Sequence, residues 1–358
     1  MKLLDRYIIR KFLGTFFFSL GLIIMIAVVF DISEKLDDFI EKKAPLDKIV
    51  FDYYLNFIPY FANLFAPLFV FISVIFFTAR MAANTEIVAI LNSGISFRRL
   101  LYPYLVSATV LATLLIYFNG WVIPHSNKVK LDFENVYIKN PVSFNQRNIH
   151  RQLVAGTFVY MESYNNAENI GYRFSMEKIV NGKRTWFLNS DRIKWDSASS
   201  RWHIEQFYIR TINGYRETLR SGWQMDTLLD MHPSDFRRRA NIIDAMDNPT
   251  LSKFIEEERT EGSVNINPYL VEKYRRYALP FSTFILTLIG VSLSSRKSRG
   301  GIGTQLGVGI TLSFSYILFM QVFNTFAASG SIPPFIAVWI PNFIYACIAA
   351  YLVKLAPK

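Results

Sequence analysis

The sequence predicts an α-helical membrane protein with six transmembrane helices in two groups of three, and an all-β domain inserted between the groups. Five stretches carry no charged residue and reach the roughly 20 residues that a helix needs to cross a bilayer core of about 30 Å. Residues 125–276 are too polar to cross and alternate between apolar and polar side chains. Only 19% of the 358 residues are charged, below the roughly 25% of soluble proteins.

The uncharged stretches define the six spans. Four of them are residues 12–30, 57–79, 100–124 and 277–295. Residues 300–353 then contain no Asp, Glu, Lys or Arg, and this stretch is long enough for two crossings. The turn-forming sequence at residues 329–334, which contains Gly and two consecutive prolines, separates spans 5 and 6. We expect the first span to be retained, because no small-residue cleavage site follows it.

Lysine and arginine in the short connections orient the chain, because cytoplasmic loops carry an excess of these residues. The two termini and the connections between spans 2 and 3 and between spans 4 and 5 hold twelve basic residues, with Asp5 and Glu86 as their acids. The connection between spans 1 and 2 has four lysines and seven acids. We therefore expect both termini in the cytoplasm and residues 125–276 outside. The net charge of +11 reflects this orientation and gives little support to nucleic-acid binding.

The outer segment has the pattern of an all-β domain. Asn181-Gly182 and Asn213-Gly214 each lie between runs rich in β-formers, and Asn-Gly is a strong hairpin signal. Short strands with turns at this spacing are typical of a sandwich, a jelly roll or a barrel. We place the β domain at residues 125–265, between membrane helices over residues 1–124 and 266–358.

The sequence contains none of the common catalytic or metal-binding motifs. It has no Walker A motif, no H-E-x-x-H motif and no nucleophile elbow. The four histidines show no pair at helical i, i+3 or i, i+4 spacing, so we expect neither a metal site nor a catalytic residue. Ionisable residues are almost absent from the spans, which argues against a proton-coupled pump. We therefore expect any energy source to lie in a separate protein.

The connection between spans 2 and 3 predicts a short amphipathic helix at residues 84–93. Asn84 or Thr85 is a suitable N-cap, Glu86 favours the first turn, and Gly94 is placed to end the helix. The apolar residues of one face are Ile87, Ile90 and Leu91. This pattern fits an interfacial helix on lipid and a docking helix for a soluble partner equally well.

Residues 31–43 continue span 1 with apolar side chains at helical spacing. Span 1 is therefore predicted to project beyond the hydrocarbon as a mixed-charge helix. Its lysines, Lys35, Lys42 and Lys43, are candidates for contact with anionic lipid headgroups, and a solvated helix face is the alternative.

A set of short motifs recurs here in the order of a known family. They are Leu4-Asp5-Arg6-Tyr7, the loop from Thr85-Glu86-Ile87 to Ser93-Gly94, Trp121-Val122-Ile123-Pro124, and Ile332-Pro333-Pro334 with Trp339-Ile340-Pro341-Asn342. Over essentially its whole length, the chain resembles the permease family of the lipopolysaccharide export ABC transporter. The motifs at residues 4–7 and 332–334 favour the G-type branch over the F-type.

This resemblance implies a transport function with several partners. A paralogous permease would form a heterodimer with this chain in the bacterial inner membrane, and two copies of a cytoplasmic ATPase would dock below. ATP and Mg would be used by the ATPase, with no cofactor bound by this chain. The outer domain would be a periplasmic β-jelly roll that passes lipopolysaccharide to a further jelly-roll protein of a bridge to the outer membrane. Glu86 matches the acid of the family's coupling helix, which would contain Thr85, Glu86, Ile87, Ile90, Leu91 and Gly94.

The resemblance also suggests where the glycolipid lies, with spans 1 and 5 lining lateral gates. Phe-rich positions supply the apolar surface that acyl chains need: Phe16 and Phe17 in span 1, Phe314, Phe319, Phe323 and Phe326 in span 5, and Phe158 and Tyr160 in the β domain. Some G-type members use span 1 lysines to contact glycolipid phosphates. An ungapped alignment puts Asp31, Asp37 and Asp38 at those positions, so Lys35, Lys42 and Lys43 are neighbouring candidates.

A second function class is a membrane-anchored envelope assembly factor whose β domain binds partners without transport. The predicted docking helix with Glu86 favours the permease, since an assembly factor has no need of an ATPase-docking helix.

Overall fold

The computed structural model describes seven stretches of the chain, which are residues 3–138, 147–165, 168–197, 199–233, 240–260, 266–296 and 301–356. The chain divides into a helical unit and a β unit. The helical unit contains Met1–Lys139, Asp244–Asn248 and Asn267–Lys358, and the β unit contains Asn140–Ile243 and Pro249–Ile266. Within these seven stretches, six helical segments are long and apolar enough to cross a membrane. The predicted fold class, six membrane helices with an inserted β domain, is confirmed.

The first three spans each continue as helix past their uncharged stretches. Span 1 is α1 (Leu3–Glu41), and span 2 joins α2 (Leu46–Lys48), a π-helical segment (Ile49–Tyr54) and α3 (Leu55–Ala83). The short α4 (Glu86–Asn92) follows. Span 3 joins α5 (Phe97–Tyr117), a second π-helical segment (Phe118–Val122) and α6 (Ile123–Tyr137).

The remaining helices follow the β strands in the sequence. A 3₁₀ helix (Ala240–Ala245) and α7 (Asn248–Thr260) precede the second group of spans. Spans 4, 5 and 6 are α8 (Ile266–Ser294), α9 (Gly301–Ala328) and α10 (Pro334–Leu355). The turn predicted at residues 329–334 ends α9, where Gly330 has a φ of 81°.

Two helices extend well past their apolar stretches. With 39 residues and a rise of 1.5 Å per residue, α1 is about 58 Å long, nearly twice the hydrocarbon thickness. The predicted mixed-charge extension of span 1 is therefore helical. The structure also places residues 123–137 in α6, continuous with span 3. The boundary that we placed at residue 124 falls inside this helix, because the loss of apolar character after Pro124 does not interrupt helical backbone.

The core of the helical unit is organised around α3. One set of its buried side chains, including Val70 and Val74, packs with α1 and α5, and another set, including Phe71 and Ile75, packs with α8, α9 and α10. Glycines permit the close approach of the later helices. A Cβ on Gly290 would lie 2.8 Å from Val74 Cγ1. Small residues at such crossings are the usual way in which membrane helices pack tightly.

The described residues of the β unit form one antiparallel sheet with strands in sequential order. Its strands are β1 (Arg147–Val154), β2 (Thr157–Asn165), β3 (Ile170–Val180), β4 (Lys183–Asp196), β5 (Arg201–Asn213) and β6 (Arg216–Thr227). Asn181 and Gly182 both have positive φ and join β3 to β4 as predicted, since a type I′ turn requires this backbone at both positions.

The strand order is that of a meander, which the sequence did not reveal. A two-sheet jelly roll places non-consecutive strands side by side. The described strands instead pair only with their neighbours in the chain, because short turns join successive hairpins. The part of the fold prediction that the structure supports is the all-β character of the inserted domain.

The sheet buries a core along one side even though its strands change face partway. Arg173 in β3 and Gln206 in β5 have positive φ, at 50° and 48°. In β5 the buried residues before this point are Trp202 and Ile204, and the buried residue after it is Phe207, which is of opposite parity. Such local irregularities bend a sheet and redirect its side chains.

Candidate functional site

The predicted cytoplasmic helix exists as α4, and its ends are set by backbone geometry. Thr85 precedes the helix in the left-handed region, with a φ of 63°, and its hydroxyl donates to the Asn84 carbonyl at 2.6 Å. Neither predicted side-chain cap is therefore formed. Gly94, with a φ of 83°, donates its N–H to the Leu91 carbonyl at 3.0 Å and ends the helix as predicted. A left-handed non-glycine residue costs roughly 1–3 kcal/mol, so tertiary contacts must hold this turn.

Glu86 is held at the start of α4 by two neutral donors. Asn84 Nδ2 donates to Glu86 Oε1 at 3.2 Å, and the Tyr7 hydroxyl of α1 donates to Oε2 at 3.2 Å. The carboxylate is partly exposed and keeps acceptor capacity for a cationic partner. Since Tyr7 lies in α1, Glu86 connects α4 directly to the first membrane helix.

The apolar face of α4 packs on the protein itself. Ile87 is buried in the cluster formed by α1, α3 and α5, and Ile90 and Leu91 pack against it. The face of α4 that stays exposed is therefore a different one, formed by Val88 and Ala89 beside Glu86. Sequence periodicity did not identify these two residues, because periodicity alone does not say which molecule covers an apolar face.

A charge pair connects the start of α5 to α1, close to the contact between Glu86 and Tyr7. Arg99 in α5 places Nη1 and Nη2 each 2.8 Å from one oxygen of Asp5, and the Nη2 contact is a hydrogen bond. Asp5 is 1% exposed and Arg99 side chain 38% exposed. The pair links residues 94 positions apart, so no local sequence pattern predicts it. Together with Tyr7 and Glu86, it joins α1, α4 and α5 at one end of the helical unit.

We expect Arg99→Ala to destabilise the helical unit. The substitution leaves the buried Asp5 carboxylate without its cation, and the exposure of Arg99 makes the loss smaller than for a fully buried pair. Denaturant unfolding of the purified chain in detergent measures the change. Arg10→Ala, an exposed cation of α1, should change little. The double variant Asp5→Asn/Arg99→Ala should recover part of the loss, and no recovery would show that the charge of Asp5 is not the cause.

The span 1 lysines occupy two different environments. Lys35 pairs with Asp31 at 2.7 Å and also bonds the Tyr53 hydroxyl, and the Tyr54 hydroxyl donates to the other Asp31 oxygen at 3.1 Å. Lys35 is thus part of an internal network between α1 and the start of span 2. Lys42 and Lys43 are exposed at the end of α1. Of the three candidates, these two have positive charge facing outward.

The phenylalanines of spans 1 and 5 also divide by exposure. Phe16 is 2% exposed and belongs to the core of the helical unit, whereas its neighbour Phe17 is exposed. In α9, Phe314, Phe319 and Phe326 are exposed, and Phe323 is half-buried and stacks on Phe319 with ring centroids 6.3 Å apart. Span 5 therefore presents a phenylalanine surface, and span 1 presents Phe17 rather than Phe16.

The two β-unit candidates lie on the side of β2 opposite the core. Val159 and Met161 are buried, while the alternate residues Phe158 and Tyr160 are exposed and half-buried. The Tyr160 ring lies 4.7 Å from that of His150 on β1. The two aromatic side chains thus do not fill the core, and they line a separate face of the sheet.

An ionic cluster lies where residues 244–248 meet α6 and α8 of the helical unit. Arg276 donates to the Met246 carbonyl at 2.7 Å, to Asn248 at 3.1 Å and to Glu272 at 3.1 Å. Burial and then the charge of Glu272 raise the pKa of Asp244 to about 6, while Arg275, Arg276 and Lys130 act in the opposite direction.

Asp244 gives the fold a pH dependence of definite sign. Its folded pKa of about 6 is above the ordinary value of 3.8. Its contribution to stability is therefore complete below about pH 4 and is lost as pH rises through 6. Asp244→Asn should raise the unfolding free energy at neutral pH by on the order of 2 kcal/mol and flatten its pH dependence. Thermal unfolding at about pH 5 and pH 7 tests this, with Asp37→Asn as an exposed control; equal pH slopes in both variants would contradict it.

Within the described stretches, no group of three His, Cys, Asp or Glu side chains is arranged to hold a metal ion. The features that the structure brings together are the exposed side of α4, apolar helix surfaces and, among the described strands, a sheet whose two outer strands each pair on one side. Exposed apolar surfaces of this kind are typical of proteins that bind other proteins or lipids. Together with the six apolar helices found within the described residues, they define a multi-pass membrane protein.

Comparison with known proteins identifies the family. Residues 6–355 match the family model described as lipopolysaccharide export system permease LptF/LptG. The chain belongs to this family. It is also 20% identical over 365 aligned positions to the lipopolysaccharide export system permease protein LptG of Escherichia coli K12, covering 98% of this chain and 97% of that protein. The LptG of Escherichia coli O6:H1 matches with the same identity and coverage.

The family match confirms the resemblance drawn from the short motifs. The family model describes F-type and G-type chains together, so it does not assign this chain to either type. The sequence motifs that favour the G-type are compatible with the LptG relatives, but 20% identity does not distinguish the two.

Proposed function

We propose that this chain is one permease subunit of an ABC transporter that extracts lipopolysaccharide from the inner membrane and passes it to a periplasmic bridge. The observation that carries this proposal furthest is the exposure of spans 1 and 5. In the most apolar 18-residue segment of each helix, the buried share is 17% in α1 and 22% in α9, against 67% in α8. Two helices of one unit thus offer broad apolar surfaces, as a subunit needs when it pairs with a second permease around a lipid cavity.

The energetics of lipid extraction favour such a surface. Exposing an acyl chain to water costs about 0.8 kcal/mol per CH₂. A transport path must therefore offer apolar contact throughout, and the phenylalanines of α9 with Phe17 of α1 supply it. Lys42 and Lys43 supply positive charge for anionic groups of the glycolipid, whereas Lys35 positions the end of α1 through Asp31.

Docking of the ATPase is assigned to α4. The apolar face of this helix packs against the core of the helical unit through Ile87, Ile90 and Leu91. The opposite side contacts the ATPase through Glu86, Val88 and Ala89. Thr85 and Gly94 set its ends. Glu86 also accepts from Tyr7, so a displacement of α4 by the ATPase acts directly on α1. ATP and Mg belong to that partner, since the sequence has no Walker A motif.

The bridge protein is assigned to the edge formed by β6. Among the described strands, β6 pairs only with β5, which leaves one side of its backbone open to another strand. Leu219 and Trp223 on this strand are 72% and 81% exposed. An open edge with large apolar side chains suits strand addition by another β protein. We place the β unit in the periplasm and both termini in the cytoplasm, following the basic residues of the short connections.

Co-purification from native membranes tests this function against the assembly-factor alternative. Mass spectrometry should detect a second six-span permease, an ATPase and lipopolysaccharide. The type of the recovered permease, F or G, also assigns this chain to the complementary type. Recovery of unrelated envelope proteins without an ATPase or glycolipid would favour the assembly factor.

A further inference from the structure

A cavity lies between the N-terminal end of α5 and the C-terminal end of α10, and none of the residues assigned above to transport lines it. Its volume is about 510 Å³, and it is lined by Ser96, Phe97, Arg98, Ala350, Val353, Lys354 and Ala356. Four of these seven residues are apolar, and both charged ones are basic. The lining contains no acidic side chain.

The two cations of this cavity are exposed and unpaired. Across the ranges that the structure describes, no acidic group pairs with Arg98 or Lys354. The neighbouring Arg99 differs in this respect, because it is paired with Asp5. Two adjacent residues of α5 thus have separate roles: one holds the fold together, and the other leaves its positive charge facing the cavity.

We propose that this cavity binds the headgroup of an anionic phospholipid from the cytoplasmic leaflet. The proposal rests on the orientation given under the proposed function, which puts the ends of spans 3 and 6 at the cytoplasmic surface. Basic pockets between membrane helices at this depth bind phosphate-bearing headgroups. The cations would meet the phosphate, and Phe97 with Val353 would contact the glycerol and the first acyl carbons.

The apolar lining distinguishes a lipid from a free phosphate ion. A small ion would contact only Arg98, Lys354 and the Ser96 hydroxyl, leaving most of a 510 Å³ cavity unfilled. A phospholipid uses both the charged and the apolar sides. Filling the apolar side should therefore weaken lipid binding and leave binding of inorganic phosphate unchanged.

The test uses the full chain, purified with its co-purifying partners and stripped of lipid by detergent exchange. Cardiolipin, phosphatidylglycerol, phosphatidylcholine and inorganic phosphate are titrated separately, and native mass spectrometry counts the bound lipid. Arg98→Gln/Lys354→Gln should weaken cardiolipin and phosphatidylglycerol binding by about tenfold to thirtyfold, from roughly 1 kcal/mol per cation. Arg10→Gln/Lys11→Gln removes the same charges from exposed positions outside the cavity and should leave the affinity within about twofold. Ala350→Trp should weaken binding without changing charge.

The alternative outcomes each overturn the proposal. If both double variants lost lipid binding equally, the lipid would be held only by diffuse attraction to the positively charged surface. Equal competition by inorganic phosphate would mean a small-anion site. A loss of ATPase from the complex with Arg98→Gln/Lys354→Gln, and no loss of lipid, would mean that the cations face the ATPase.

A separate measurement distinguishes this failure from failure of the proposed function. Cysteine labelling of Lys354→Cys, with the native Cys347 replaced by Ser, reports which side of the membrane the cavity faces. Labelling from the outside would overturn the orientation and with it the proposed function. Cytoplasmic labelling without selective lipid binding would overturn the lipid site alone.

Discussion

Glu86→Lys is expected to release the ATPase from the complex and to stop transport. The substitution replaces a partly exposed carboxylate on the exposed side of α4 by a cation, and it breaks the acceptor contacts with Tyr7 and Asn84. Losing one partner of a charge pair at an interface costs roughly 2–5 kcal/mol, and reversal adds repulsion. We therefore expect ATPase co-purification to fall by at least about tenfold.

Two controls separate docking from folding in this experiment. Glu86→Gln keeps the shape of the side chain and one acceptor oxygen, and its amide NH₂ can donate to the Tyr7 hydroxyl, so the main change is the loss of charge. Glu34→Lys makes the same charge change at an exposed position of α1 beyond the hydrocarbon and should retain the ATPase. The β unit should stay folded in all three variants, because α4 belongs to the helical unit. If Glu86→Lys recovered the ATPase normally, α4 would not be part of the docking site.

The second large effect is expected at the edge of the sheet. Leu219→Asp/Trp223→Asp replaces the two exposed apolar side chains of β6 by charges, and charges on an edge strand oppose the addition of another strand. Hot-spot residues of an interface, among which Trp is enriched, cost about 2 kcal/mol or more when they are lost. Binding of the periplasmic bridge protein should therefore weaken by at least about tenfold, while ATPase co-purification stays normal.

A matched control defines the role of the β6 edge. Tyr215→Asp introduces a charge at a fully exposed residue between β5 and β6 and should leave binding of the bridge protein unchanged. Near-ultraviolet circular dichroism reports the core around buried Trp202, whose indole N–H donates to the Met231 carbonyl at 2.9 Å. Unchanged bridge binding with an intact core would mean that the partner docks elsewhere.

Much of the fold followed from physical signals that are local in the sequence. The spans were predictable because hydrocarbon tolerates few charges over 20 residues. The hairpin at Asn181-Gly182 was predictable because its backbone needs positive φ at two successive positions. The extent of α4 was predictable from the glycine at its end. Each of these signals acts within a few residues.

The features that were not predictable depend on partners distant in the chain. The charge pair of Asp5 with Arg99 and the contact of Tyr7 with Glu86 join α1 to residues 79 or more positions away. The periodicity of α4 gave an apolar face but not the helices that cover it, so it did not show that Val88 and Ala89 form the exposed side. Pro124 ended an apolar stretch without ending the helix. The meander order of the sheet was hidden because turns fix hairpins but not the arrangement of distant strands.

Reconstitution of lipid release tests the central proposal most directly. The complex of this chain with its co-purifying permease and ATPase is placed in proteoliposomes that contain lipopolysaccharide, with the soluble bridge protein outside as acceptor. The proposed function predicts ATP-dependent transfer to the acceptor, and loss of that transfer with Glu86→Lys. Transfer that is absent, or that proceeds equally without ATP, would contradict the assignment of this chain as a transport permease.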